Sequence, residues 1–399
     1  MPPEQRLKVA MVVPVGRSGY LPFSLSLCEA LSRAGADATL ITSRDCDELP
    51  EHENGYRIRP VLGGMNRDQS KVIRGLSYGV SLLSLRSVLR RERFDVAHFQ
   101  DTFVPYVDAP FFMLNGNGRP ATVFTAHDPD QEAITARQTR RVSLRRVALG
   151  RIYHAVDGLV ALSEIARKEL IAGFAVPEAK VARIGQGNYF SCGVESAPPK
   201  GEARRRLGIE GDRKLVLFFG SLKPSKGLDF LIRAFARVKA VEPKAFLLIA
   251  GETRGVDVAE CRSLIDRLGL TDSASLRPDY VAAEALPDYL VAADLVALPY
   301  LRIYQSGVLH LAYSFGRPVV ATRVGGLAED VQEGKSGLLV PPADEESLAG
   351  AILELIAAPD RLAAMGDYAK SLAETVYSWD AIARQTLDFY ASLLARKAA

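Results

Sequence analysis

The chain has 399 residues, 48% of them apolar and 24% charged, with a formal net charge of +3. That composition describes a globular protein too long for one ordinary core, so two domains of about 200 residues are expected. No apolar run approaches the roughly 18 residues needed to cross a bilayer, and the four cysteines, Cys28, Cys46, Cys192 and Cys261, lack the spacing of a zinc site or a disulfide framework.

The N-terminus lacks the plan of a secretory leader, because Lys8 leads straight into Val9 to Val13, which Pro14 ends. Together with the unpaired cysteines this makes a cytoplasmic protein the expectation. Leu7 to Val13 is the first buried strand. Val15-Gly16-Arg17-Ser18-Gly19-Tyr20 then turns into a helix, Leu21 to Ala34, which Gly35 stops. The turn is not the GxGxxG fingerprint, which speaks against a nicotinamide cofactor. Ala38 to Thr42 is a second strand, Ser70 to Arg93 a long helix, and Phe94 to Phe99 a third strand containing His98, a core residue by its pattern. The stretches Met65 to Lys71 and Phe103 to Asn117 carry no clear period. Thr122 to Thr125 is a strand ending in Ala126-His127-Asp128-Pro129, and Gly158 to Leu162 follows, with Ser163 placed to cap a helix. Strands alternating with helices in this way imply a parallel, doubly wound sheet, whose ligands lie beyond the carboxyl ends of the strands. His127 falls there, either as a functional group or as a structural hydrogen-bonder.

Charge is uneven. Residues 1–200 carry 26 basic against 21 acidic side chains, and the remainder 24 against 26. Arg137, Arg140, Arg141, Arg145, Arg146 and Arg151 fall in a stretch without an acid from Ala133 to Val156. Interleaved apolar residues make it either a solvated basic helix face or a contact with an anionic membrane surface or anionic acceptor. It lacks the interleaved aromatics expected for nucleic acid, which is not expected as a partner.

From Gln186 to Lys214 the pattern breaks into Gly, Pro and basic residues, as an interdomain connection would. A second alternation begins at Lys214, KLVLFFGSLKPSKGLDFLIRAF: a strand, a glycine turn at Gly220 and Ser221, then a helix from Leu228. Lys223, Lys226 and Gly227 share the short loop, either as solvated loop residues or as a phosphate site where glycine lets the backbone approach. Ala245 to Ala250, Ser275 to Arg277, Leu295 to Leu298, Pro318 to Thr322 and Gly337 to Val340 are the later strands. Gln305, Ser306, Gly307 and Val308 open a helix that Gly316 and Pro318 end; its first turn is either a plain cap or an anion site. Two doubly wound halves would leave one cleft between them. Residues 359–399 are helical in pattern, with Trp379 as an anchor.

These motifs resemble the GT-B retaining glycosyltransferases of the large group known as family 4. The resemblance is carried by FFGSLKPSKGLDFLIRAF, Pro278-Asp279-Tyr280-Val281, Leu298-Pro299-Tyr300, QSGV with GRPVVAT, Val324 to Glu329, SGLLVPPAD and Tyr377-Ser378-Trp379. It implies two Rossmann-like domains facing a cleft: an acceptor-binding domain over 1–186, a linker over 187–212, a donor domain over 213–375 and a C-terminal helix over 376–399 that crosses back to the first domain. It also implies transfer of a hexose from a nucleotide diphosphate sugar to a glycan, lipid-linked or small acceptor, with retention and without metal or other cofactor. Lys223 and Lys226 would hold the diphosphate and His127 would touch the donor sugar. Gly16, Gly19, Gly220, Ser221, Gly227, Tyr280, Val281, Gln305, Ser306, Gly307 and Val308 would surround the donor. The chain departs from the pattern at Ile303 and Leu311, where relatives carry a glutamate pair, at Ser221, where a loop arginine is usual, and at Gln186, where histidine or proline is. The missing carboxylates leave open a second reading, a silent nucleotide-sugar-binding relative acting as scaffold or regulator. A nucleotide sugar epimerase ranks third, for want of acid and base residues.

Overall fold

A computed structural model describes residues 6–14, 20–44, 46, 49, 55–63, 70–115, 120–130, 144–209 and 211–398. They form two compact units, Met1–Gln186 with Trp379–Ala399, and Gly187–Ser378.

The first unit opens on β1 (Lys8–Val12), whose residues from Val9 on are all buried, as a strand covered on both faces requires. It continues through α1 (Tyr20–Arg33), β2 (Asp37–Ser43), β3 (Arg57–Leu62), α2 (Lys71–Arg91), β4 (Val96–Phe99), α3 (Pro105–Asn115), β5 (Ala121–Ala126), α4 (Leu144–Ala155), β6 (Gly158–Ala161), α5 (Glu164–Lys168) and β7 (Val181–Arg183). All seven strands are parallel, in the order β3-β2-β1-β4-β5-β6-β7. Ser70 and Ser163 cap α2 and α5 by accepting from Ile73 N and Ala166 N.

Two strands and one helix escape the sequence pattern. β3 carries two arginines and Pro60, but it is an edge strand, where proline costs little. β7 is a three-residue edge. α3 lies in the stretch without clear period and contains Pro110, yet Phe111 and Phe112 anchor it on Phe99.

Connections between parallel strands are right-handed, so α1, which leads from β1 towards the β3 edge, lies on one face. The crossovers through α2, α3 and α4 run towards the β7 edge and share the other face. Packing agrees: α3 lies along α4, and Tyr78 of α2 donates to Asp108 of α3 at 2.6 Å.

The second unit starts at Gly187, and the stretch expected as a bare linker is built into it. Asn188 donates to the Ala373 carbonyl, and α6 (Lys200–Arg206) buries Ala203, with Arg204 held by Asp294 at 2.9 Å. The elements β8 (Lys214–Phe219), α7 (Leu228–Val241), β9 (Ala245–Ala250), α8 (Val258–Arg267), β10 (Ala274–Arg277), α9 (Leu286–Ala292), β11 (Leu295–Leu298), α10 (Gly307–Ser314), β12 (Val319–Thr322), α11 (Gly325–Asp330) and β13 (Gly337–Val340) follow. The sheet is again parallel, ordered β10-β9-β8-β11-β12-β13. α12 (Glu345–Ile356) and α13 (Pro359–Glu374) complete it.

α14 (Trp379–Ala398) returns to the first unit, as the resemblance implied. It packs on α1, Trp379 meets Phe23 edge-on at 5.1 Å, Arg33 pairs with Asp380, and the Tyr390 hydroxyl lies 2.5 Å from His98 Nδ1. His98 is therefore the core residue that its strand pattern indicated, only 1% exposed.

Candidate active site

In the second unit the chain leaves β8 in one direction along the sheet and β11 in the other, so the crevice above their carboxyl ends is the switch point of the fold. Gly220 follows β8 and Tyr300 follows β11. The loop after Gly220 runs through a short 3-10 turn, Pro224–Lys226, to Gly227, which holds φ at 63° as it caps α7. A side chain at Gly227 would run into the Pro299 carbonyl oxygen, so glycine here lets the two switch-point loops touch.

That contact aims Lys226. Its ammonium lies 5.0 Å from the centre of the Tyr300 ring, and a β-carbon at Gly220 would sit 3.2 Å from it and 3.0 Å from a Val308 methyl. Lys226 and the first turn of α10 thus meet across Gly220. Burial lowers the lysine pKa from 10.5 to about 8, and no carboxylate pairs with it among the described residues. α10 is not an open tip: Ser306 is its N-cap and accepts from Leu309 N at 3.3 Å. The Gly307 and Val308 N–H groups precede Leu309 N, the first donor bonded within the helix, and so have no partner inside α10. Beside them Gln305 Oε1 is buried without a hydrogen-bond partner.

Lys223 is placed differently. It is exposed and lines a groove of about 350 Å³ with Asp229, Arg233, Asp257 and Glu260 of α7 and α8. Ser221 is half-buried, Tyr280 is 74% exposed, and Val281 packs against the core. Leu311, in a usual glutamate position, is a buried core residue, and Ile303 packs against the same core.

In the first unit the switch point lies between β1 and β4. Gly16 and Gly19 lie outside the described residues, as do Arg137, Arg140 and Arg141. His127 follows β5 and is 5% exposed. Its ring centre lies 4.5 Å from that of Tyr20 and 5.2 Å from that of Phe23, and Nε2 is 3.1 Å from Gln100 Oε1. Burial pulls its pKa down to about 3, so the imidazole is neutral. Asp101 adopts φ 140°, a costly backbone for a residue with a side chain. Burial pushes its carboxyl up to about 6, against hydrogen bonds from Thr102 N and Tyr20. Gln100, Asp101 and Tyr20 are neighbours that sequence reasoning passed over; two polar residues directly after an apolar central strand were the available signal.

Arg146 does not present a free basic face. It pairs with Asp130, donates to the Gly173 carbonyl at 2.7 Å and stacks on Phe174. Arg145 exerts a favourable charge effect on Asp101.

Two parallel doubly wound units of this kind define the GT-B glycosyltransferase fold. Sucrose-phosphate synthase from Thermosynechococcus elongatus superposes with a TM-score of 0.77 at 22% identity, over 98% of this chain and all of that one. Anabaena HepE in complex with UDP-glucose gives 0.75 at 19% identity, over 96% and all of the respective chains. The profile described as Glycosyltransferase Family 4 matches residues 23–187, and that of Glycosyl transferases group 1 matches residues 213–358. A D-inositol 3-phosphate glycosyltransferase from Thermobispora bispora is 32% identical over 394 residues, spanning 95% of this chain and 90% of that protein. The chain belongs to the family 4, group 1 glycosyltransferases. Among its described residues no helix is long and apolar enough to cross a membrane.

Proposed function

We propose that this glycosyltransferase moves a hexose from a nucleoside diphosphate sugar with retention at the anomeric carbon and without a metal ion, and that Lys226 and the first turn of α10 receive the diphosphate. The observation that carries this reading is the Lys226 ammonium, desolvated and without a carboxylate, beside the first turn of α10. As the glycosidic bond breaks, the departing phosphate oxygen gains negative charge. An ammonium and two helix N–H groups supply positive charge in the place a divalent cation would otherwise take. Gln305 Oε1, a buried acceptor in want of a donor, suits a hydroxyl of the bound sugar or ribose; leaving it unmet costs about 1–3 kcal/mol. HepE, solved with UDP-glucose, makes UDP the first nucleotide to try, and the inositol phosphate relatives make a phosphorylated polyol the first small acceptor, ahead of glycan or lipid-linked ones. Retention is what the family implies.

The test is NMR of the glycosylated product, with and without chelator. An anomeric configuration matching the donor, formed at an undiminished rate in chelator, is expected. An inverted product overturns retention, and magnesium-restored activity overturns the metal-free mechanism. Donor binding with no turnover of any acceptor, or by hydrolysis, favours the silent relative.

A further inference from the structure

Nine of the thirteen large apolar side chains exposed among the described residues lie on α2, α3 and α4, the three helices on one face of the first sheet. On α2 they form a stripe, Ile73, Leu76, Val80 and Leu83, each more than half exposed. Their spacing of three, four and three residues places them in one line about 15 Å long. The opposite side of the same helix buries Tyr78, Leu82, Leu85 and Leu89 against the sheet. α2 is therefore apolar on two faces, one of which the domain does not cover. Met113 of α3 and Leu144 of α4 are also more than half exposed.

The charges say what fits there. α2 contains five basic residues and no acid, and Arg90 and Arg91 continue the stripe at its C-terminal end. α4 adds Arg145 and Arg151 and no acid, its third arginine, Arg146, being paired with Asp130. The single carboxylate on the three helices, Asp108, is 2% exposed and accepts from Tyr78 and from two backbone N–H groups. A second copy of this face would offer Arg90 and Arg91 no exposed carboxylate to pair with, so an anionic surface suits it better than a second copy does. Apolar side chains flanked by cations match acyl chains beneath anionic headgroups.

We propose that this face of α2 docks flat on an anionic phospholipid surface. The docking depends on the surface of the first unit alone and stands apart from the diphosphate assignment. The docking element is α2; of the arginine stretch that the sequence singled out, Arg146 is tied up internally and Arg137, Arg140 and Arg141 lie outside the described residues.

Flotation of the full chain with vesicles tests it. Phosphatidylcholine vesicles carrying about one-third phosphatidylglycerol should float the protein, and phosphatidylcholine alone should not. Raising the salt from about 0.1 M to about 1 M, which shortens the screening length from roughly 10 Å to roughly 3 Å, should weaken capture. Leu76→Ser with Leu83→Ser, and separately Arg90→Glu with Arg91→Glu, should each cut the bound fraction about tenfold or more, with circular dichroism and nucleotide binding unchanged. Absence of flotation, flotation untouched by both pairs, or equal capture by neutral vesicles overturns the proposal. So does a parent dimer that the leucine pair converts to monomer without any vesicle binding, since a second copy then covers the stripe.

Discussion

Replacing Lys226 with methionine should move stability and donor binding in opposite directions. The ammonium has its pKa lowered from 10.5 to about 8 because it is buried, so the folded state disfavours its charge. A tenfold change in a protonation equilibrium corresponds to about 1.4 kcal/mol. The side chain is half-buried, however, and solvent screening together with the contact to the Tyr300 ring leaves a net cost on the order of 1 kcal/mol. A depressed lysine pKa means that the unfolded chain keeps its proton between about pH 8 and 10.5 while the folded one has lost it. Stability therefore rises with pH through that window, and the full cost is present below it. Methionine fills the same space against Tyr300 without a charge, so the variant should melt roughly 2–4 °C higher at pH 7, with the gain shrinking towards pH 10. Donor binding should fall by about 1.5–3 kcal/mol, the worth of a hydrogen bond to a charged group, or roughly ten- to hundredfold in Kd. Scanning calorimetry at both pH values and titration calorimetry with UDP, GDP and ADP read the two effects. A methionine variant that is less stable and binds nucleotide as the parent does would refute the reasoning.

Other perturbations separate shape from charge. Gly227→Ala forces a β-carbon at φ 63° into the Pro299 carbonyl and should cost upward of roughly 2 kcal/mol in urea unfolding, whereas an unchanged midpoint would show that the two loops do not touch. Ser306→Asp keeps an oxygen to cap α10, so stability should hold within about 0.5 kcal/mol while nucleotide affinity drops at least about tenfold from a carboxylate facing the diphosphate; equal affinity would move the site elsewhere. Because His98 and His127 are held neutral by burial, with pKa values of about 3, neither should contribute a limb near pH 6.5 to the activity profile. An activity limb at that pH that disappears in His127→Gln would contradict this.

Much of the fold could be read from the chain because both sheets are buried on both faces, so their central strands appear as short apolar runs. The run at Leu215 ends on Gly220 and that at Leu295 lies between Asp294 and Pro299, and the two flank the switch point. What escaped notice were elements whose composition contradicts their place: β3, with arginines and a proline tolerated at an edge, and α3, which owes its position to Phe111 and Phe112 meeting Phe99. The loop with Lys226 was legible, because two lysines and a glycine between strand and helix form a local pattern. Which lysine turns inward was not, since that depends on Pro299 and Tyr300, more than 70 residues away in sequence. The same holds for α2: its period marks a long helix, but only the packing shows which apolar stripe the sheet leaves uncovered.

Proton uptake on nucleotide binding bears most directly on the role of Lys226. An incoming diphosphate should raise the lysine pKa from about 8, so binding at pH 8 should draw up to about half a proton from the buffer. Titration calorimetry in buffers of different ionisation enthalpy measures that number. The account predicts uptake in the parent protein and its loss in Lys226→Met; heats that do not depend on the buffer, or an uptake that survives the substitution, would contradict it.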